Sequence, residues 1–212
     1  ICYNKQEVIF MNDLIKKDML LYSDIIKDDH PDLRQKSLPA NIPLSNEEIN
    51  VLKLMNDYLW NSYDNEIVEK YKLRPGVGLA APQIGILKKM FCILAYDEKG
   101  DFHNYCIINP KIISHSEEKT YLETGEGCLS VDKTVNGLVH RYRRIKASVY
   151  LYDFETQELI STVLKLEGYL AIIFQHEYDH LYGKLFYDRI NKENPFFIPE
   201  NSHPVIFSPQ DE

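Results

Sequence analysis

The chain has 212 residues, 44% of them hydrophobic and 26% charged, which is typical of one globular domain large enough to bury its own core. A formal net charge of -8 argues against a general DNA- or RNA-binding role, because such proteins carry a basic stripe. No apolar run reaches the roughly 18 residues of a membrane span, and the first ten residues lack the pattern of a secretory signal. The four cysteines form no C-x-x-C pair, which favours reduced thiols and a cytoplasmic location.

The first part of the chain is predicted to be mainly helical. Residues 11–22 predict a short helix. Ser45 and Glu48 form a capping box, in which each side chain satisfies a free backbone N–H group at a helix start. Apolar residues at helical spacing then predict a helix that runs to about residue 62 and covers a sheet, and 66–72 predict a further turn or two.

The second part of the chain contains strand patterns on both sides of one late helix. Apolar or alternating segments predict strands at 90–96, 105–108, 111–116, 120–122, 144–153 and 158–166, and an edge strand at 204–207. Polar turns join the first two and the fifth and sixth of these strands as hairpins, and the third and fourth are expected to pair. The arrangement predicts an α+β fold, with antiparallel or mixed sheets packed around the late helix and the N-terminal helix covering the sheet.

The late helix, 168–181, carries the clearest functional motif, His-Glu-x-x-His. His176 and His180 are four residues apart, so they lie one turn apart on the same helix face and can bind one metal ion. Glu177 lies beside them, where a carboxylate can reach a water at that metal. The alternative interpretation is two histidines on a buried helix that binds no ion.

A catalytic metal usually takes three protein ligands and keeps one position open. Cys128 is the best candidate for the third ligand, because it lies in glycine-containing backbone next to polar Ser130 and a thiolate suits such a metal. The alternative is an ordinary buried cysteine. A zinc peptidase would instead recruit a downstream ligand, for which Asp188, Glu193 and His203 are candidates without a motif. A non-enzymatic binding module would close its metal site with four protein ligands.

Three segments in this order resemble the peptide deformylase family. They are G-V-G-L-A-A-P-Q at 76–83, E-G-C-L-S at 126–130 and Q-H-E-Y-D-H at 175–180. The resemblance extends from residue 25 to residue 188, and the combination of the three motifs is highly specific. The stretch between 61 and 76, and Tyr169, resemble the larger form of the family found in Gram-positive bacteria.

The resemblance implies an enzyme that hydrolyses the formyl group from the N-terminal formyl-methionine of newly made polypeptides. It implies metal ligands Cys128, His176 and His180, a general acid and base Glu177, and an oxyanion site formed by Gln83 and the backbone N–H of Leu129. The implied physiological ion is Fe(2+), which zinc, nickel or cobalt can replace. Affinity order among divalent metals does not by itself select iron.

The resemblance also implies how substrate binds. Its backbone is expected to pair with Val77, Gly78 and Gly127. An apolar pocket for the methionine side chain is expected from Val77, Tyr169, Ile172, Ile173 and the face of His176, and the alternative is that these apolar residues are ordinary core. The implied partners are N-formylmethionyl nascent peptides, and neither DNA nor a membrane. The net charge leaves room for a transient ribosome contact through a local basic cluster at 88–89 or 141–144, and the alternative is that both clusters are solvated. The expected organisation is an N-terminal extension at 1–24, a catalytic domain at 25–190 and a C-terminal tail at 191–212.

Glu126 directly precedes the Gly127-Cys128 turn, where an unpaired carboxylate would repel a metal-binding thiolate. The resemblance places an ion pair between Glu126 and Arg141, and Asp179 is a second candidate partner. The alternative is that Arg141 is a solvated cation in the basic run 141–144.

Overall fold

The computed structural model describes residues 17–208. The helices of this range are α1 (Asn46–Asn61), α2 (Asn65–Tyr71) and α3 (Gly168–His180), with short 3-10 turns at Tyr22–Asp24, Pro31–Arg34, Ala81–Ile84 and Phe186–Arg189. The strands are β1 (Gly78–Ala80), β2 (Met90–Tyr96), β3 (Phe102–His115), β4 (Lys119–Tyr121), β5 (Arg141–Tyr142), β6 (Arg144–Asp153), β7 (Glu158–Glu167) and β8 (Ser202–Pro204). No helix of the described range is long and apolar enough to cross a bilayer.

The strands form two sheets. The larger sheet has the order β1-β2-β3-β6-β7, and every neighbouring pair in it is antiparallel. The smaller sheet has the order β5-β4-β8, in which β4 and β8 run parallel. The α+β fold with antiparallel and mixed sheets is therefore confirmed, and so is the 144–153 and 158–166 hairpin to within one residue.

Strand β2 is buried on both faces because a helix covers each side of the larger sheet. Alternate side chains of a strand point to opposite faces. Met90, Cys92 and Leu94 join the cluster that contains α1, whereas Phe91 and Ile93 join the cluster that contains α3. The central helix α3 is thus held against one face of the sheet and α1 against the other.

The capping box at the start of α1 forms as predicted. The Ser45 hydroxyl accepts a hydrogen bond from Glu48 N at 3.2 Å, and the Glu48 carboxylate accepts one from Ser45 N at 3.0 Å. Burial alone would raise the pKa of Glu48, but the backbone N–H groups of Ser45 and Asn41, together with Lys88, lower that pKa below its ordinary value of 4.5. Glu48 therefore stabilises the folded state through its charged form.

Three strand predictions need correction, and one helix prediction lies partly outside the described range. The segment 111–116 is not a separate strand: β3 continues through it past a bulge next to Pro110, which has no N–H for the ladder, and pairs with β6. Strand β4 pairs with β5 and β8 instead of with 111–116. The last strand lies at Ser202–Pro204, slightly before the predicted 204–207. Of the predicted helix at 11–22, residues 11–16 lie outside the described range, and 17–21 are not helical.

Candidate active site

The central helix begins immediately after β7, and glycine makes this junction feasible. Gly168 has φ = 58°, in the left-handed region, and a Cβ there would overlap the Glu98 carboxylate. That carboxylate accepts a hydrogen bond from Tyr169 N at 3.1 Å, which satisfies one of the free N–H groups at the helix start. Glu98 lies in the turn between β2 and β3, so the hairpin fixes where α3 starts.

Cys128, His176 and His180 converge at a single point. Their ligating atoms lie within 4.8 Å of one another and all three side chains are buried. Cys128 Sγ lies 3.4 Å from His180 Nε2. His176 Nδ1 is 2.8 Å from the Glu126 carboxylate, which leaves Nε2 of this histidine as the nitrogen available for an ion.

The donor set fits a divalent transition metal, because one thiolate and two imidazoles beside an open cavity match a three-ligand catalytic site. Burial and, to a smaller extent, the charge of His176 lower the pKa of His180 well below its ordinary value. The neutral form, which can bind a metal, is therefore favoured. Burial would also lower the pKa of His176, but Cys128 and Glu126 raise it well above the ordinary value. His180 Nδ1 is buried without a hydrogen-bond partner among the described residues.

None of the downstream alternatives joins this group. Asp188 accepts hydrogen bonds from Leu185 N at 2.8 Å and from Arg34 at 2.5 Å. Glu193 and His203 are exposed. Within residues 17–208, the group of side chains that could hold a metal therefore consists of Cys128, His176 and His180. It contains no fourth ligand that would close the site.

Glu177 is buried next to the converging donors. Burial raises the pKa of its carboxyl from 4.5 to about 7, against the opposing charges of His176 and Arg141. Its Oε2 atom has no hydrogen-bond partner among the described residues. Gly78 on β1 faces this carboxylate so closely that a Cβ at that position would lie 2.8 Å from Glu177 Cδ. The absence of a side chain at Gly78 therefore leaves room for the Glu177 carboxylate next to β1.

Gln83 lies in the 3-10 turn after β1, and its amide is held at both ends. The carbonyl oxygen accepts from Ala80 N at 2.8 Å, while the NH2 group lies 3.2 Å from Ser130 Oγ and 3.5 Å from Cys128 Sγ. The side chain is 1% exposed. Gln83 thus presents a fixed donor at the thiol.

A cavity of about 370 Å³ opens onto these residues. It is lined by all six predicted substrate-binding residues, Val77, Gly78, Gly127, Tyr169, Ile172 and Ile173, and by Gln83, Cys128, Leu129, His176 and Glu177. His180 is not part of the lining. Sequence reasoning missed Tyr63, Arg74 and Leu122, which reach the cavity from the end of a helix and from loops, where no periodic pattern or motif marks them.

Arg141 is buried between the Cys128 loop and α3. Its guanidinium donates to both oxygens of Glu126, at 2.6 and 2.8 Å, and to Asp179 at 2.9 Å. Burial alone would raise the pKa of Glu126, but the charge and hydrogen bonds of Arg141 lower it to about 2. Because Glu126 also contacts His176, one carboxylate links the arginine to a histidine of the candidate metal group.

Two histidines on one helix, a thiol as the third donor, a buried carboxylate and an open cavity fit the class of metal-dependent hydrolases. Residues 22–196 of the chain match the model of a protein family that is described as "Polypeptide deformylase". This chain is a member of that family, whose enzymes remove the N-formyl group from nascent polypeptides in a metal-dependent hydrolysis, and it is a hydrolase of that kind.

Individual relatives agree with the family assignment. The chain is 50% identical to peptide deformylase 2 of Bacillus anthracis over 187 residues, which cover 88% of this chain and 99% of the relative. It is 48% identical to peptide deformylase 2 of Bacillus subtilis, over 87% of this chain and 97% of the relative. Among solved structures, a class I type b peptide deformylase from Acinetobacter baumannii superposes with a TM-score of 0.64, at 27% identity, over 82% of this chain and all of that one.

Proposed function

We propose that the residues converging at the cavity carry out the deformylation of formyl-methionyl peptides. The observation that supports this proposal most strongly is that Cys128, His176 and His180 converge at one point, while Cys128 and His176 line a cavity together with Glu177 and Gln83. Ligands, acid–base group and oxyanion donor come from three separate segments of the chain. Their convergence is what the reaction requires.

Cys128, His176 and His180 would hold the metal, and Fe(2+) is proposed as the physiological ion, with zinc, nickel or cobalt accepted by the same donors. When bound, such an ion acts as a Lewis acid that makes water acidic enough to deprotonate near neutral pH. Glu126 holds His176 in the tautomer whose Nε2 is free to bind.

Glu177 is proposed as the general acid and base. Its carboxylate accepts a proton from the attacking water and delivers it to the peptide nitrogen as the formyl C–N bond breaks. A pKa of about 7 suits both steps, because the group exchanges protons readily near neutral pH.

Gln83 and the backbone N–H of Leu129 are proposed to stabilise the negative charge that develops on the formyl oxygen. The Gln83 amide is already fixed by Ala80 and Ser130, so little reorganisation is needed during the reaction. Loss of one such donor usually costs about 3 to 4 kcal/mol of transition-state stabilisation.

The substrate backbone is proposed to pair with Val77, Gly78 and Gly127. Strand β1 is at the end of the larger sheet and, among the described strands, pairs with β2 alone, so its other edge can take an added strand. The methionine side chain would enter the apolar part of the cavity at Tyr169, Ile172 and Ile173. A narrow formyl site would reject an acetyl group by steric clash.

The finer organisation is also a proposal. We assign the extension to 1–24, the catalytic domain to 25–190 and the tail to 191–212, and we place the enzyme in the cytoplasm, where its nascent substrates are made. A transient ribosome contact through 141–144 would have to compete with existing ion pairs, because Arg143 and Arg144 each contact Glu118 and Glu167.

Glu177→Gln tests the proposed mechanism. The amide keeps nearly the same shape but cannot accept a proton, so we expect metal content to stay unchanged and turnover to fall by a factor of about 10² or more. Exposed Glu193→Gln is the control and should retain full activity. Metal content and rate are measured on the same samples; full activity of the Glu177 variant would remove this residue from the mechanism.

A further inference from the structure

The C-terminal segment crosses the N-terminal end of the catalytic helix. Strand β8 pairs in parallel with β4, and beyond it Val205 N donates to Tyr121 O at 2.9 Å. Three residues later, Ser208 N donates to Glu98 O at 2.9 Å. The segment 202–208 is therefore tied at one end to the smaller sheet and at the other to the β2–β3 turn.

Phe207 contacts the cavity wall from outside. Its ring lies 5.1 Å from the Tyr169 ring, centroid to centroid, at an interplanar angle of 73°, which is a favourable edge-to-face arrangement. Tyr169 lines the substrate cavity on its other side. Phe207 is 49% exposed, whereas its neighbour Ile206 is 80% exposed and is thus mostly in solvent.

Glu98 connects the two contacts. Its carboxylate accepts from Tyr169 N, and its backbone oxygen accepts from Ser208 N. The β2–β3 turn therefore fixes the backbone of Tyr169. The same turn holds the tail segment that carries Phe207, which contacts the Tyr169 ring.

We propose that Phe207 is a specificity-determining positioning residue, which holds the Tyr169 ring against the pocket for the first side chain of the substrate. The inference rests on the proposed function, since it concerns the pocket assigned there to methionine. Without Phe207 the tyrosine ring gains rotamers that enlarge the pocket. The site should then discriminate less against side chains bulkier than methionine, while the reacting groups at Glu177 stay in place.

The test compares Phe207→Ala with Ile206→Ala, using formyl-Met-Ala-Ser and formyl-Phe-Ala-Ser as substrates and the enzyme loaded with metal. Loss of an edge-to-face aromatic contact changes an equilibrium constant by about 2- to 10-fold. We expect the ratio of kcat/KM for the methionine substrate over the phenylalanine substrate to fall by about 2- to 10-fold in Phe207→Ala. The change should lie in KM, and Ile206→Ala should keep the wild-type ratio.

Two further variants separate positioning from general stabilisation. Phe207→Tyr keeps an aromatic ring and should keep the wild-type ratio of kcat/KM values. The ratio for Phe207→Leu should lie between those of wild type and Phe207→Ala. Phe207→Leu therefore provides the test if the alanine variant does not fold. In a Tyr169→Ala background, Phe207→Ala should change selectivity no further. An unchanged ratio in Phe207→Ala or Phe207→Leu, or an equal loss of kcat on both substrates, would overturn the inference. An inactive wild type would instead count against the proposed function itself.

Discussion

Replacing Arg141 by alanine should destabilise the protein strongly, because it removes the arginine that pairs with buried Glu126 and leaves Asp179 with Arg189 as its remaining ion-pair partner. The arginine side chain is 1% exposed, and Glu126 and Asp179 are 4% and 5% exposed. Removing one member of a buried ion pair typically costs about 3 to 5 kcal/mol. The pKa of Glu126, lowered from 4.5 to about 2, corresponds to about 3 kcal/mol and agrees with that range.

For a chain of this size, a loss of about 3 to 5 kcal/mol lowers Tm by about 6 to 20 °C. Thermal unfolding of Arg141→Ala, followed by circular dichroism, measures the shift, and metal content after dialysis measures retention of the ion. Both should fall, because Glu126 then no longer has a fixed position from which to hold His176.

Arg143→Ala is the matched control. Arg143 is two residues away and 35% exposed, and its contacts with Glu118 and Glu167 are both 3.3 Å. Such surface pairs contribute at most about 1 kcal/mol. Equal Tm shifts in the two variants, or full metal retention in Arg141→Ala, would refute the view that Arg141 holds the Cys128 loop against the helix.

Three further predictions follow from single contacts. Gly78→Ala should cut activity by about tenfold or more while the chain stays folded, since the new Cβ displaces the Glu177 carboxylate; wild-type kinetics would contradict the contact. The stability advantage of wild type over Glu48→Gln should be present above pH 4.5 and disappear as the pH falls below it, because the folded-state pKa of Glu48 is lowered; denaturant titrations across this range measure it. The iron-loaded enzyme should lose activity in air faster than the zinc-loaded enzyme, because Fe(II) beside the Cys128 thiolate can be oxidised whereas zinc(II) cannot; equal half-lives would contradict oxidation at the metal as the cause of inactivation.

The parts of the fold that the sequence predicts well are those set by local interactions. The capping box at Ser45 and the spacing of His176 and His180 depend only on neighbouring residues of one helix. The 144–153 and 158–167 hairpin is similarly local, because a short polar turn and two alternating strands determine it.

The errors arise where distant segments decide the structure. The bulge at Pro110 allows β3 to continue because β6 supplies a partner for the second half of the strand, and nothing in residues 105–116 indicates that partner. Strand β4 takes β8 as a neighbour from about 80 residues downstream. The contact of Phe207 with Tyr169 likewise depends on tertiary placement of the tail and has no sequence signal.

The most direct test of the account is deformylation by freshly reduced, iron-loaded protein. Release of formate from formyl-Met-Ala-Ser is measured beside an acetyl-Met-Ala-Ser control, for wild type and for Cys128→Ala. The account predicts rapid formate release by wild type, no reaction with the acetyl peptide, and loss of both bound metal and activity in Cys128→Ala. Full activity and full metal content in Cys128→Ala would contradict it.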